Sequence, residues 1–252
     1  MKNKKVAVVS GGAKGIGEAI SLRLSDDGFT VAVVDMDKDA TDTLIRQIQD
    51  KGREALALIT DISDQSAVQS CFDTIEQTFG RCDVLVNNAG IAKTFPFETF
   101  PTDNWQATLN INLNGPLFMT QRAVHLMKKN HWGRIINISS ISGIRAGAGR
   151  TAYGTSKAAL IGLTRQMAIE LAQYGITANS VAPGPVDTPL TRQLHSEETR
   201  ESYHRLIPMR RYGTPEEIAA TVAFLTTDGA AFITGHTIPV DGGFTAAGVL
   251  DI

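Results

Sequence analysis

The sequence predicts an α/β fold: a doubly wound parallel sheet of about seven strands with helices on both faces, residues 1–252 forming one domain. Two observations carry this. Short runs rich in Val, Ile, Leu and Ala recur without polar alternation, as in strands covered on both faces. Helix-period stretches separate them, and repeated strand–helix–strand units wind in one hand onto a parallel sheet. No Pro- or Gly-rich linker, repeat or low-complexity segment divides the chain.

In order, the predicted strands are Val6–Val9, Val31–Val34, Ala55–Ile59, Val84–Val86, Arg134–Ile138, Ile176–Val181 and Thr237–Val240. Helical patterns cover Glu18–Ser25, Ala40–Asp50, Gln65–Thr78 and one long run, Asp103–Lys129. A further helix runs from Thr151 to about Tyr174 and stops at Gly175, a residue suited to the left-handed position after a helix. In such sheets ligands bind beyond the carboxyl ends of the strands, at the switch point of strand order. The residues that directly follow strands are therefore the candidates for function.

Composition narrows the classes. Lys plus Arg number 24 against 26 Asp plus Glu, a net charge of −2, so no basic surplus marks a nucleic-acid binder. Apolar residues make up 42%, which excludes a disordered chain. No apolar run approaches the ~18 residues of a membrane helix. The start, Met1 to Val9, lacks the apolar core of a signal peptide, and a cytoplasmic protein is expected. Cys71 and Cys82 form no framework, and the five histidines show no ligand spacing, so no metal is expected.

Ser10-Gly11-Gly12-Ala13-Lys14-Gly15-Ile16-Gly17 follows the first strand and opens a helix. Backbone N–H groups at a helix start offer a positive end to a phosphate, and glycines allow close approach. Asp35 ends the second strand, near the spacing of about 20 residues at which a carboxylate accepts hydrogen bonds from an adenosine ribose. A carboxylate there repels a 2′-phosphate, so NAD is expected, with NADP the alternative that Lys14 would favour.

Tyr153 and Lys157 lie one helical turn apart, on one face. An ammonium beside a phenol favours the phenolate, making the tyrosine a tunable general acid/base. Asn137-Ile138-Ser139-Ser140, Asn87-Asn88-Ala89-Gly90 and Asn110 to Asn114 follow strands or sit on nearby helices, and are expected to converge on one site. A Ser140 hydroxyl can donate to a carbonyl oxygen beside the tyrosine.

With these motifs in order, and Pro183-Gly184 after them, the chain resembles a classical short-chain dehydrogenase/reductase with a Rossmann-type fold, from Val6 to about Gly243. Ser10 stands where Thr is usual. The resemblance implies Tyr153 as general acid/base, Lys157 lowering its pKa and holding the nicotinamide ribose, Ser140 orienting the substrate oxygen, and Asn112 binding a relay water. It implies cofactor contacts from Gly11, Lys14, Gly15, Ile16, Gly17, Asp35, Asp61, Ile62, Asn88, Gly90, Tyr153, Lys157, Pro183, Gly184, Val186 and Thr188. It places substrate against Ser140, Ser142, Ile144 and Tyr153, under a lid at about 188–211, and implies a homotetramer. The tail Phe244–Ile252 is expected at such an interface or over a neighbour's pocket.

The implied activity is interconversion of a small secondary alcohol and ketone by hydride transfer with NAD(H); a diol, hydroxy ketone or cyclic alcohol is the expected substrate. The alternatives are reduction of 3-oxoacyl thioesters with NADPH, which Asp35 disfavours, and a non-catalytic dinucleotide sensor, which an intact acid/base set disfavours. Leu190, Leu194 and Leu206 are expected to cover the pocket. Lys93, Arg145, Arg150 and Arg192 are candidates to bind an anionic group, but each is expected in solvent.

Overall fold

In the computed structural model, residues 4–248 are described. Among them seven strands form one parallel sheet: β1 Val6–Ser10, β2 Thr30–Asp35, β3 Ala55–Ile59, β4 Val84–Asn87, β5 Gly133–Ile138, β6 Ile176–Pro183 and β7 Thr237–Val240. Their spatial order is β3-β2-β1-β4-β5-β6-β7. Every neighbouring pair is parallel, so the chain must cross over between strands, and helices make the crossings. The order reverses between β1 and β4, which opens the crevice at their carboxyl ends.

The central strands are buried along their whole length, which explains their unbroken apolar runs. The outer strands β3 and β7 are only half-buried. The helices are α1 Gly15–Asp26, α2 Lys38–Asp50, α3 Gln65–Phe79, α4 Thr102–Leu109, α5 Gly115–Asn130, α6 Thr151–Leu171, α7 Pro189–Leu194, α8 Glu197–Leu206 and α9 Pro215–Leu225. One apolar layer unites β1, β2, α1, α2 and α9, including Val9, Ile20, Leu24, Val33, Ile48 and Val222. The other unites β4, β5, α3, α5 and α6 on the opposite face, including Phe72, Ile75, Leu85, Met119 and Ile135.

Two boundaries differ from expectation. The predicted helix Asp103–Lys129 is two helices joined by a π-turn at Asn110–Asn114, where the chain carries three asparagines and meets Pro116. An extra residue per turn is a feature that periodicity alone does not reveal, and such bulges gather at functional sites. The first helix begins at Gly15, earlier than its apolar pattern, because glycines carry no hydrophobic signal.

Candidate active site

The crevice at the β1/β4 switch point is a cavity of about 500 Å³. The β1–α1 turn forms one wall. Gly11 takes φ +58° and its N–H donates to the Val34 carbonyl at 2.8 Å. A Cβ on Gly17 would meet the Gly11 carbonyl at 1.9 Å and Asn88 Nδ2 at 2.6 Å, so only glycine fits there. Lys14 is the residue before α1 and gives it no side-chain cap. The first N–H groups of the helix are thus left for a ligand, and Gly11, Lys14, Gly15, Ile16 and Gly17 all line the cavity.

Asn88 braces this turn and also lines the cavity: its Nδ2 donates to the carbonyls of Ser10 and Gly11, at 3.1 and 2.8 Å. The Ser10 hydroxyl accepts from Asn88 N at 3.1 Å, so the hydroxyl that replaces threonine's carries a bond of its own. Gly90, Pro183, Gly184, Val186 and Thr188 stand on the same walls.

Asp35 caps the end of β2. Its two carboxylate oxygens accept from Ala13 N at 3.1 Å and Asp37 N at 3.0 Å. Lys14 Nζ is paired with Asp37 at 2.5 Å, so that ammonium is already turned toward a carboxylate. Asp61 accepts from Ser63 N and Oγ, at 2.9 and 2.7 Å, while Asp64 is the residue that caps α3. Ile62 is buried, its side chain against Gly115. Asp35, Asp61 and Ile62 lie outside the cavity wall, at the ends of β2 and β3 where an adenosine would extend.

Tyr153, Lys157 and Ser140 share the cavity. Lys157 is buried and its Nζ donates to the Ile138 carbonyl at 2.8 Å. Loss of water lowers its pKa to about 8. The ammonium lies 5.8 Å from the centre of the Tyr153 ring. Tyr153 itself is pushed up by burial, and the groups that pull it back are the Ser140 hydroxyl and the Arg150 guanidinium. The Lys157 ammonium is engaged by a backbone carbonyl in this arrangement.

Asn112 sits in the π-turn, fully buried. Its Oδ1 accepts from Ile91 N at 2.9 Å, and its Nδ2 donates to Ile91 O at 3.0 Å and Ser156 Oγ at 3.1 Å. The amide thereby ties the segment after β4 to α6, one residue before Lys157.

Several expectations are corrected. Ile144 is 45% exposed and does not line the cavity, whereas Ile141 and Ser142 do. The short 3-10 turn at Ile141–Gly143 rotates Ile144 away. Asn87 and Asn137 do not face the site; they bond each other at 2.8 Å inside the molecule and reach Thr120 and Thr164. Strand ends carry structural asparagines as well as functional ones. Leu190 and Leu194 line the cavity, but Leu206 is outside it.

The far end of the cavity is a place where the sequence pointed mainly to solvent. There Arg150, just before α6, His195, just after α7, and Tyr203 on α8 converge. Arg192 is in solvent and bonds Asp187 as well, but Arg150 faces the cavity and not water alone. The signal was slight: a His and a Tyr in a charged segment.

The chain matches the model of the family described as Enoyl-(Acyl carrier protein) reductase over residues 11–245. It is a short-chain dehydrogenase/reductase. A 3-oxoacyl-acyl-carrier-protein reductase of Synechocystis sp. is 40% identical over 241 residues, covering 95% of this chain and 96% of that one. The 3-oxoacyl-acyl-carrier-protein reductase of Thermotoga maritima is 38% identical over 239 residues, covering 95% and 97%. Among solved structures, a gluconate 5-dehydrogenase from Burkholderia cenocepacia, in complex with NADP and tartrate, superposes with a TM-score of 0.93. That protein is 31% identical, with 97% of this chain and 96% of that chain covered. The family acts on CH–OH and keto groups with NAD(P), and this chain is an oxidoreductase of that kind. No helix among the described residues is long and apolar enough to cross a membrane. No cluster of three His, Cys, Asp or Glu among them would hold a metal.

Proposed function

We propose that this short-chain dehydrogenase/reductase interconverts a small ketone and a secondary alcohol with NAD(H), using Tyr153 as general acid/base. The observation that carries the reading is the placement of Tyr153, Lys157 and Ser140 on one cavity with the uncapped start of α1. A nicotinamide dinucleotide fits that wall: glycines 11 and 17 leave no room for a Cβ, and the helix N–H groups have no other cap. When bound, it supplies or accepts the hydride.

The chain's own groups do the rest. Ser140 orients the substrate oxygen. Tyr153 gives its proton to that oxygen during reduction and takes it back during oxidation, a transfer worth about 10²–10⁴-fold. Lys157, its pKa drawn down to about 8, can exchange a proton and would hold the ribose of the nicotinamide. Asn112, whose amide is fully engaged with Ile91 and Ser156, positions the α6 face beside Lys157 and would place a relay water there through its backbone.

Asp35 supports NAD over NADP, since a 2′-phosphate would meet its carboxylate while Lys14 is already paired with Asp37. Asp61 and Ile62 would flank the adenine. The segment 188–211, with α7 and α8, serves as a lid: Thr188, Leu190 and Leu194 already form part of the wall. Buried, unpaired Cys71 and Cys82 suit a reducing cytoplasm. A homotetramer is the assembly the family favours. Phe244, at the start of the tail, lies 6.0 Å from the Tyr203 ring of its own lid; residues 249–252 of the tail lie outside the described residues.

The named relatives favour the second reading, reduction of a 3-oxoacyl thioester, over the diol or cyclic alcohol expected from sequence. NADH and NADPH oxidation measured against acetoacetyl-CoA, cyclic ketones and diketones tests both. A thioester turned over best with NADPH replaces the first reading; no turnover of any ketone removes both.

A further inference from the structure

Arg150 is a cation on the cavity wall that favours the Tyr153 phenolate but itself hands on neither the hydride nor the proton. The chain ahead of it is fixed. Gly149 takes φ +71°, its carbonyl accepts from Phe95 N at 3.2 Å, and a Cβ there would strike Thr94 at 2.3 Å. Arg150 then stands immediately before α6, and its guanidinium carbon lies 5.7 Å from the centre of the Tyr153 ring.

Its surroundings are unusual for an arginine. Among the described residues no carboxylate lies within ion-pair distance of it, whereas Arg192 and Arg200 both pair with Asp187 at 2.9 Å. Its side chain makes one hydrogen bond, to His195 Nε2 at 3.3 Å. A guanidinium can only donate, so Nε2 accepts and the ring proton sits on Nδ1, facing the Tyr212 hydroxyl at 2.9 Å. Tyr203 stacks on the same imidazole, 5.4 Å between centres. Burial, with Arg150 and Arg200 nearby, holds His195 below its usual pKa, so the ring stays neutral. His195 therefore fixes the guanidinium without cancelling its charge, and most of its five donors have no partner among the described residues. The phosphates of a dinucleotide have a separate place at the start of α1.

We propose that Arg150, held by His195, forms an anion subsite at the substrate end of the cavity and selects ketones and alcohols that carry a carboxylate. This rests on the reading that the substrate oxygen meets Tyr153. It makes a small keto acid or hydroxy acid the preferred substrate class.

The test uses the full-length enzyme with NADH and three keto acids: acetoacetate, 4-oxopentanoate and 5-oxohexanoate. Each is compared with its methyl ester, which keeps the ketone and removes the charge. A charge-assisted pair predicts that kcat/KM for at least one acid exceeds that for its ester by about tenfold or more, mainly through KM. Arg150→Ala should bring that ratio to about one while the KM for NADH stays put. Arg150→Lys should restore part of the ratio, and His195→Asn should weaken it. Melting curves confirm that each variant is folded. Titration of the NAD⁺ complex with the same acid should show binding that Arg150→Ala abolishes. Esters used as well as acids by the wild type, or a ratio unchanged in Arg150→Ala, overturns the subsite alone. Failure of every ketone, acid and ester alike, overturns the reading beneath it.

Discussion

The ammonium of Lys157 donates a 2.8 Å hydrogen bond to the carbonyl of Ile138, the last residue of β5, and it does so out of reach of water. The strand end and the helix that carries Tyr153 are thereby tied at the point where chemistry is proposed. Burial of a charge is costly, and the cost appears as a pKa drawn from 10.5 to about 8.

That cost predicts a pH-dependent trade. Below pH 8 Lys157 is charged in both folded and unfolded chains, and the folded state alone bears the desolvation, worth about 3 kcal/mol. Between pH 8 and 10.5 the unfolded chain holds the proton and the folded chain does not, so wild-type stability rises with pH. Lys157→Met should therefore raise the melting temperature at pH 7, by somewhat less than the full term because the Ile138 bond is lost, and the gain should vanish by pH 10.5. Denaturation of both proteins across pH 7–10.5 checks it; a constant difference would contradict it.

The proposed preference for NAD rests on Asp35. The wild type should use NADH in preference to NADPH. Asp35→Ser should lower kcat/KM for NADH by about 10- to 100-fold, the worth of hydrogen bonds to a charged acceptor, and improve NADPH. Adding Asp37→Ser frees Lys14 from its ion pair and should improve NADPH again. Steady-state kinetics with both cofactors decide, and an unchanged preference in the double variant would refute the assignment.

Ser140 lowers the pKa of Tyr153, and burial raises it. The phenolate is the form that takes a proton during alcohol oxidation, so oxidation should rise with pH. Ser140→Ala removes a group that favours the phenolate and should move that limb to higher pH. It should also cut kcat by about 10²-fold, as loss of one oxyanion donor does. The pH profile of kcat in the oxidation direction reads both effects.

Gly17 tests the turn. Gly17→Ala forces a Cβ against the Gly11 carbonyl and should destabilise the fold by about 1–3 kcal/mol, with weaker NADH binding. Gly15 makes a useful contrast: a Cβ there meets Thr188 at a comfortable 3.6 Å, although φ is +56°. Chemical denaturation of the two alanine variants should show Gly17→Ala as the one harmed by contact.

Much of this was legible in the residues. Apolar runs marked the strands because buried parallel strands have no polar face, and β1 to β7 lie where those runs lie. The β1–α1 turn was legible because glycine at Gly11 and Gly17 answers a steric demand within a few residues. The π-turn was not, since Asn110–Asn114 keeps a helical pattern while adding a residue to the turn. Nor were Asn87 and Asn137, whose side chains meet across two strands far apart in sequence. The Arg150–His195 contact depends on the segment that holds α7 folding back toward the start of α6, a long-range event that no local spacing announces.

The reading turns on the Tyr153 phenol. Tyr153→Phe removes one oxygen from a cavity that keeps its shape. The direct measurement is kcat for ketone reduction beside the Kd for NADH, by fluorescence titration, in wild type and Tyr153→Phe. The account predicts a fall in kcat of about 10²–10⁴-fold with Kd unchanged within a few-fold; turnover by Tyr153→Phe at the wild-type rate would contradict it.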